Sequence, residues 1–297
     1  MPIANRVPVA NSLLAALPRK ECRHLIDDLE QVALTYGEVL YEPGEQIKYV
    51  YFPNDSVVSL LTLVDRHQAL EVGLIGREGM VGIPLALEIS ISPVRALVQG
   101  TGTAMRMKAA PFLKELRQSH ALQRELLRYT YSLMAQITQT AACNRFHVIE
   151  ARLARWLLMT HDRLQSSSFR LTHEFLSQML GVRRVGVTKA ARTLQQNKLV
   201  SYSRGNITIL DRKGLEAASC SCYEIVKVCT TVREPGSSTA AVHRRGFQRG
   251  GAQVAAGEAE AQTRRPGEPR RAGSRRKPGR VERTLLAAPG NVAAPVR

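Results

Sequence analysis

The sequence predicts an α+β fold with a β-rich N-terminal domain, a long connecting helix and a C-terminal winged helix-turn-helix. Short β-prone runs separated by turn residues fill about residues 30–108. Helical apolar spacing with few breakers follows from about residue 110 to residue 164. Two small helices and a hairpin are predicted over residues 171–218. A basic tail poor in aromatic residues ends the chain, and we expect it to be disordered.

The first predicted domain covers residues 10–118. Two short helices occupy residues 10–28, and Pro18 opens the second. Several short strands at regular spacing then predict a sandwich or barrel. The β-prone runs are residues 39–41, 49–52, 57–61 and 96–98. Four glycines recur at every third position: Gly73, Gly76, Gly79 and Gly82. We expect barrel turns there, because the strand and helix that flank a phosphate-binding loop are missing.

The connecting helix is predicted at residues 119–145 and carries two apolar stripes. The first has coiled-coil-like spacing and contains Leu122, Leu126, Tyr129, Leu133, Gln136 and Thr140. The second lies beside it and contains Leu127, Tyr131, Met134 and Thr138. One stripe can pack on the β domain while the other meets a second subunit, which predicts a homodimer. The alternative is that both stripes belong to one intramolecular core.

The third predicted domain covers residues 147–220 and contains the helix-turn-helix. An amphipathic helix over residues 147–164 precedes it. Thr172 is placed to cap the first small helix, and Gly181 stands where a left-handed residue must turn the chain. The second helix begins at about Arg183 and turns an apolar face inward: Val187, Ala190, Ala191 and Leu194. Its outward face is basic and polar: Arg183, Arg184, Thr188, Lys189 and Arg192.

A basic second helix of this kind is typical of DNA readers. Arginine at its start can bind guanine O6 and N7 together, while residues further along hold phosphates. We expect Arg183, Arg184 and Lys189 to contact DNA, and Thr188, Arg192 and Arg204 to bind phosphates. Arg204 lies in a polar turn at residues 203–206, between predicted strands at 197–202 and 207–210, and these complete a wing. The alternative is a small helical core with a solvated basic face.

The net charge of +17 also favours a polyanionic partner. Residues 231–297 hold 14 Lys and Arg against 5 Asp and Glu, so this tail carries over half of the excess. Two interpretations of the tail remain open. It is either an arm that binds phosphates without sequence preference, or an out-of-frame translation, since Lys277 is its only lysine.

The five cysteines are odd in number and scattered: Cys22, Cys143, Cys220, Cys222 and Cys229. Cys220 and Cys222 come closest to a metal or redox pair, but they lack CxxC spacing and no histidine lies near them in sequence. His147 with Glu150 fits no metal spacing either. Plain thiols and no metal are therefore predicted, with a sensing role as the alternative. We find no catalytic constellation, so the sequence predicts neither an enzyme nor a cofactor.

The order of these parts resembles the Crp/Fnr regulators over about residues 10–225. The segments that carry the resemblance are residues 51–53, 76–82, 144–147, 152–158 and 176–184. The resemblance implies a cyclic-nucleotide-binding-like jelly roll and a homodimer on a palindromic site. Its expected partners are double-stranded DNA, a second copy of the chain and RNA polymerase. No signal sequence or membrane span is visible, so a cytoplasmic location with no membrane partner is expected.

Three departures limit what the resemblance implies. The cyclic-nucleotide binders place a Gly-Glu pair where this chain has Gly82-Ile83, and Arg95 lacks the following hydroxyl residue. Cyclic AMP is therefore not the expected effector, and the ligand site stays unknown. The iron–sulfur branch of the family has most of its cysteine ligands near the N-terminus. This chain has only Cys22 there, so an iron–sulfur cluster is not expected. In the reader helix Val185 replaces the usual glutamate, so the usual half-site is not expected. The rival interpretation is a nucleotide-like sensor in which DNA binding is secondary.

Overall fold

The computed structural model describes residues 10–64 and 68–231, without the side chains of Lys20, Cys22, Arg23, Thr230 and Thr231. The predictions about the Cys22 side chain and about the tail beyond residue 231 lie outside this part. The chain begins with helices α1 (Ser12–Ala15) and α2 (Arg19–Asp27), and Pro18 is the N-cap of α2 as predicted. The buried Asn11 side chain caps α1 and donates to the carbonyl oxygens of Pro53 and Gly79, each at 2.9 Å. This residue therefore fixes the N-terminal helices on the β domain.

Seven antiparallel strands form the β domain in two sheets. They are β1 (Glu30–Leu34), β2 (Val39–Tyr41), β3 (Tyr49–Pro53), β4 (Val57–Leu63), β5 (Ala69–Ile75), β6 (Arg95–Gly100) and β7 (Gly102–Lys108). One sheet has the order β1-β7-β3 and the other has the order β2-β6-β4-β5. Apolar side chains from both sheets, among them Val50, Phe52 and Val98, are fully buried in one core. This arrangement confirms the predicted β-rich N-terminal domain.

Three helices follow: α3 (Ala109–Gln118), α4 (His120–Phe146) and α5 (Ile149–Leu164). A 3-10 helix at Ile83–Leu87 lies between β5 and β6 in sequence. All six residues of the first predicted stripe of α4 are buried. The second stripe is exposed along its whole length, from Leu127 to Thr138. The two stripes thus have different environments, and the alternative in which both lie in one core is wrong for the described chain.

Close helix packing accounts for the missing side chain at two of the four periodic glycines. Gly73 lies inside β5 opposite Leu60, so its assignment to a turn is wrong. A Cβ atom on Gly73 would lie 3.2 Å from the Leu133 side chain of α4. At Gly79 a Cβ atom would lie 2.3 Å from the Tyr129 ring of α4. These two positions lack side chains because α4 lies directly against the β domain.

The C-terminal region combines helices with a three-stranded sheet of order β8-β10-β9. Its elements are β8 (Ser168–Arg170), α6 (His173–Leu180), α7 (Arg184–Gln196), β9 (Val200–Ser203), β10 (Asn206–Ile209), α8 (Arg212–Ala218) and α9 (Cys222–Thr231). Ser168, the first residue of β8, pairs with Thr208 of β10. Leu153, Trp156 and Leu157 of α5 are buried in the core of this region.

A buried polar network joins the β domain to α5. The Ser59 hydroxyl lies 2.6 Å from Glu71 Oε2 and 2.6 Å from Gln99 Oε1. Trp156 of α5 donates its indole N–H to Glu71 Oε1 at 2.9 Å, and Gln99 donates to Thr160 at 3.1 Å. Burial raises the pKa of Glu71 to about 7, although Ser59 and Trp156 counteract the shift. Since one serine proton cannot serve two acceptors, a protonated Glu71 satisfies the network best.

Candidate nucleic-acid interface

The first helix of the helix-turn-helix is capped at both ends by the predicted residues. Thr172 Oγ1 accepts a hydrogen bond from the Phe175 amide at 3.1 Å, which satisfies one free donor of the first turn of α6. Gly181 ends the helix with a φ of +59°, a conformation that glycine adopts without strain. Its amide and that of Val182 close the turn on the carbonyls of α6. These two caps define the two ends of α6.

Helix α7 separates its apolar and polar residues as the sequence predicts. Val187, Ala190, Ala191 and Leu194 are buried. The five outward side chains are all exposed: Arg183, Arg184, Thr188, Lys189 and Arg192. Arg184, Thr188 and Arg192 follow one another at four-residue spacing and therefore share one helix face. The structure thus brings five of the six predicted site residues together at the start and along the solvent face of one helix.

The position of Thr188 depends on two residues that the sequence analysis did not single out. Its hydroxyl donates to the Arg184 carbonyl at 3.0 Å and lies 3.1 Å from His173 Nδ1. The His173 ring stacks on Tyr202 with centroids 4.4 Å apart. Burial and the charge of Arg184 lower the pKa of His173, which favours the neutral ring. Local sequence gives no signal for this contact, because it joins α6, α7 and β9.

The wing is a tighter hairpin than predicted. Its strands are β9 and β10, and only Arg204 and Gly205 form the turn, at φ values of +48° and +79°. A two-residue turn with both residues left-handed matches the natural twist of paired strands. The Gly205 carbonyl accepts from the Leu171 amide at 2.7 Å, which anchors the turn next to α6. Arg204, the sixth predicted site residue, is exposed at this tip and lies on a different element from the other five.

In the β domain, the residues at the positions of the phosphate site of cyclic-nucleotide binders are not free to bind a phosphate. Arg95 forms an ion pair with Glu42 at 2.8 Å, and Gly82 leads directly into the 3-10 helix with a φ of +99°. A cavity of about 370 Å³ lies instead between the 3-10 helix and α4, lined by apolar residues that include Leu87, Leu126 and Leu127. Of the exposed stripe of α4, Leu127 lines this cavity.

A second group of reactive side chains lies at the far end of α4. Cys143, His147, Cys220 and Cys222 have their ligand atoms within 4.8 Å of one another. The sequence analysis missed this group because 77 residues separate Cys143 from Cys220. One signal was available: His147 follows Cys143 by four residues, at the junction of two predicted helices.

Within the described residues, no helix is both long enough and apolar enough to span a membrane. The family model for the Crp-like helix-turn-helix domain matches residues 151–218. No curated protein matches the chain in sequence.

Several solved structures resemble the chain over most of their length. One is a transcriptional regulator assigned to the Crp/Fnr family from Eubacterium rectale, with 18% identity over 71% of this chain and 97% of that chain, and a TM-score of 0.55. A second is FixK2 from Bradyrhizobium japonicum, with 15% identity over 65% of this chain and 98% of that chain, and a TM-score of 0.56. A third is the c-di-GMP-responsive global regulator CLP of Xanthomonas campestris, with 15% identity over 65% of this chain and 99% of that chain, and a TM-score of 0.52.

These similarities agree with the geometry of α6, α7 and the wing. The similar structures are those of regulators. The protein is a DNA-binding transcription regulator with a Crp-like helix-turn-helix domain in a Crp/Fnr-type fold.

Proposed function

We propose that the protein is a homodimeric regulator that binds a palindromic DNA site in sequence-specific fashion. The observation that carries this proposal is the division of α7: its predicted contact residues are exposed, while Val187, Ala190, Ala191 and Leu194 on its other face are buried. A helix presented in this way can enter the major groove with its N-terminal end foremost.

Arg183, Arg184 and Lys189 are proposed to contact base edges, with the arginines nearest the start of the helix. Thr188, Arg192 and Arg204 are proposed to bind phosphates. Val185 adds a candidate contact, because its side chain is 66% exposed on α7 although it is apolar. An exposed apolar side chain in a major groove can pack on the methyl group of thymine.

The second stripe of α4 is proposed as the dimer contact. Leu127, Tyr131 and Met134 are 63%, 56% and 62% exposed. Leu127 lines the same apolar cavity as Leu87 of the 3-10 helix, so the exposed surface continues from α4 onto the β domain. A large apolar patch of this kind is typical of a protein contact. A parallel pair of α4 helices would place two α7 helices side by side.

Cyclic AMP is not the proposed effector, because Arg95 is paired with Glu42 and no glutamate follows Gly82. The alternative function is a nucleotide-like sensor in which DNA binding is secondary. One of the similar structures is that of a c-di-GMP-responsive regulator, so the fold is compatible with other nucleotide effectors.

RNA polymerase remains a proposed partner, as expected for a transcription regulator. We also propose the cytoplasm as its location.

Selection of DNA from a random pool by the full chain, without added ligand, tests the proposal. Recovery of a two-fold palindrome with half-sites about one helical turn apart is expected for an effector-independent dimer. Enrichment only after addition of a nucleotide would favour the sensor function. A pool that stays random with and without nucleotides would contradict the proposed specific binding.

A further inference from the structure

The four clustered side chains at the end of α4 have the geometry of a metal site. Cys143 Sγ lies 3.5 Å from Cys220 Sγ, and Cys222 Sγ lies 3.4 Å from His147 Nδ1. A tetrahedral zinc ion with Zn–S bonds of about 2.3 Å and Zn–N bonds of about 2.0–2.1 Å separates its ligand atoms by about 3.5–3.8 Å. The observed separations are therefore close to the edges of one such tetrahedron.

Other known uses of clustered cysteines fit these distances less well. A disulfide needs its sulfur atoms at about 2.0 Å, and Cys143, Cys220 and Cys222 are all free thiols. In a cubane iron–sulfur cluster each cysteine binds a different iron atom, which spreads the sulfur atoms farther apart than on a single ion. A set of ligand atoms all within 4.8 Å of one another fits one ion.

Three elements bring the four ligands together. Cys143 lies on the last turn of α4, and His147 is the C-cap of that helix. Cys220 lies between α8 and α9, and Cys222 is the first residue of α9. Helix α9 packs along α4, where the Ser132 hydroxyl donates to the Cys229 carbonyl at 2.8 Å. The ligands are therefore held by backbone that is already fixed.

The charges around the cluster also favour bound thiolates. Arg152 and Arg155 of α5 are only 6% and 5% exposed, and in the described chain neither has a carboxylate within ion-pair distance. Both interact electrostatically with Cys143. Buried guanidinium groups need a negative partner, and three thiolates with one neutral histidine on a divalent ion carry one net negative charge.

The surroundings supply further support for a ligated sulfur. Gln139 Nε2 donates to Cys222 Sγ at 3.0 Å, as an outer partner of a metal ligand commonly does. A thiolate is the form of cysteine that binds metals.

We propose that Cys143, His147, Cys220 and Cys222 bind one Zn²⁺ ion in a closed tetrahedral Cys3His site. Four protein ligands leave no open position, so the ion is structural rather than catalytic. The ion joins the end of α4 to α9, next to the short segment that connects α4 with α5. Loss of the ion frees α9 and the connecting segment, which changes how α7 is held relative to α4.

Metal analysis of the full chain tests the site directly. The protein, purified without chelators and dialysed, is expected to hold one zinc ion per chain. Cys143→Ser and Cys220→Ser are each expected to lose it. Cys229→Ser is the matched control, because Cys229 is another buried cysteine of α9 that lies outside the cluster. Zinc retention in both cluster variants, equal to that of the control, would overturn the proposal.

A second measurement avoids the risk that the variants fail to fold. The unaltered chain, stripped with a chelator and reloaded with Co²⁺, is expected to show thiolate-to-cobalt charge transfer and the intense visible bands of a tetrahedral ion. Zinc should then displace these bands and raise the thermal midpoint of the stripped protein. Octahedral cobalt bands, or a stripped chain that binds no metal and only forms a Cys143–Cys220 disulfide in air, would refute the site.

Discussion

Arg184 is the residue on which the proposed DNA contact depends most. It is the first residue of α7 and is exposed, so its guanidinium can reach the edge of a guanine. Arg184→Ala is expected to weaken binding to the selected site by roughly 1–3 kcal/mol, the range for one lost bidentate contact. Titration of labelled selected DNA measures this loss against random DNA.

The matched control for this variant is Arg19→Ala, which removes an exposed arginine from the first turn of α2 in the β domain. Equal losses in the two variants would mean that only general charge attraction is measured. A loss restricted to Arg184→Ala, and to the selected sequence, is the result that supports base contact.

Among the elements, α4 carries the proposed dimer contact. Met134 lies in the middle of its exposed stripe, and Met134→Glu would place two like charges together in the interface. We expect the dimer affinity to fall at least tenfold, an order-of-magnitude estimate equal to about 1.4 kcal/mol. Light scattering after size-exclusion chromatography measures this change. Met134→Leu keeps an apolar side chain of similar volume and should leave the dimer intact.

The close contact between α4 and the β domain can be tested at Gly79. A Cβ atom there would lie 2.3 Å from the Tyr129 ring, so Gly79→Ala overpacks a buried contact. We expect a loss of roughly 1–3 kcal/mol in the free energy of unfolding, measured with denaturant. In a Tyr129→Leu background the same change should cost less. An equal loss in the free energy of unfolding in both backgrounds would show that Gly79 does not pack against Tyr129.

In the complete protein, two links connect the helix-turn-helix region with the elements that precede it. One is the buried network in which Trp156 of α5 donates to Glu71 of β5. The other is the Cys3His cluster, which joins α4 to α9. Since both links involve buried polar groups, a change in protonation or ligation alters the free energy of the whole assembly.

Glu71 makes the stability of this assembly dependent on pH. Its pKa in the folded chain is about 7, above its ordinary value of 4.5, so the folded state holds a proton that the unfolded state has lost. The free energy of unfolding should therefore fall as the pH rises from about 4.5 to 7, and this contribution should be level above pH 7. The total effect of this residue is at most about 3 kcal/mol.

Denaturant titrations at pH 5 and pH 8 measure the effect, with Glu71→Gln as the comparison. The amide keeps an acceptor for Trp156 and does not titrate in this range. The variant is expected to lose less stability than the unaltered chain between the two pH values. An identical loss in both proteins would show that Glu71 does not carry the pH dependence.

Elements whose signals are local could be predicted from the amino-acid sequence alone. Apolar spacing at 3.6 residues, the cap at Thr172 and the glycine at 181 predicted α6 and α7, and each outward residue of α7 is exposed as expected. The two stripes of α4 could be listed from the sequence. Which of them is buried depends on the neighbouring domain, and periodicity carries no information about that neighbour.

Features that join distant segments depend on how the chain packs in three dimensions. The burial of Glu71 beside Trp156, the close approach of Tyr129 to Gly79 and the Cys3His cluster each combine residues far apart in the chain. Sequence spacing signals a metal site reliably when its ligands lie on one short segment. Here α9 packs on α4, and this packing brings Cys220 and Cys222 next to Cys143 and His147.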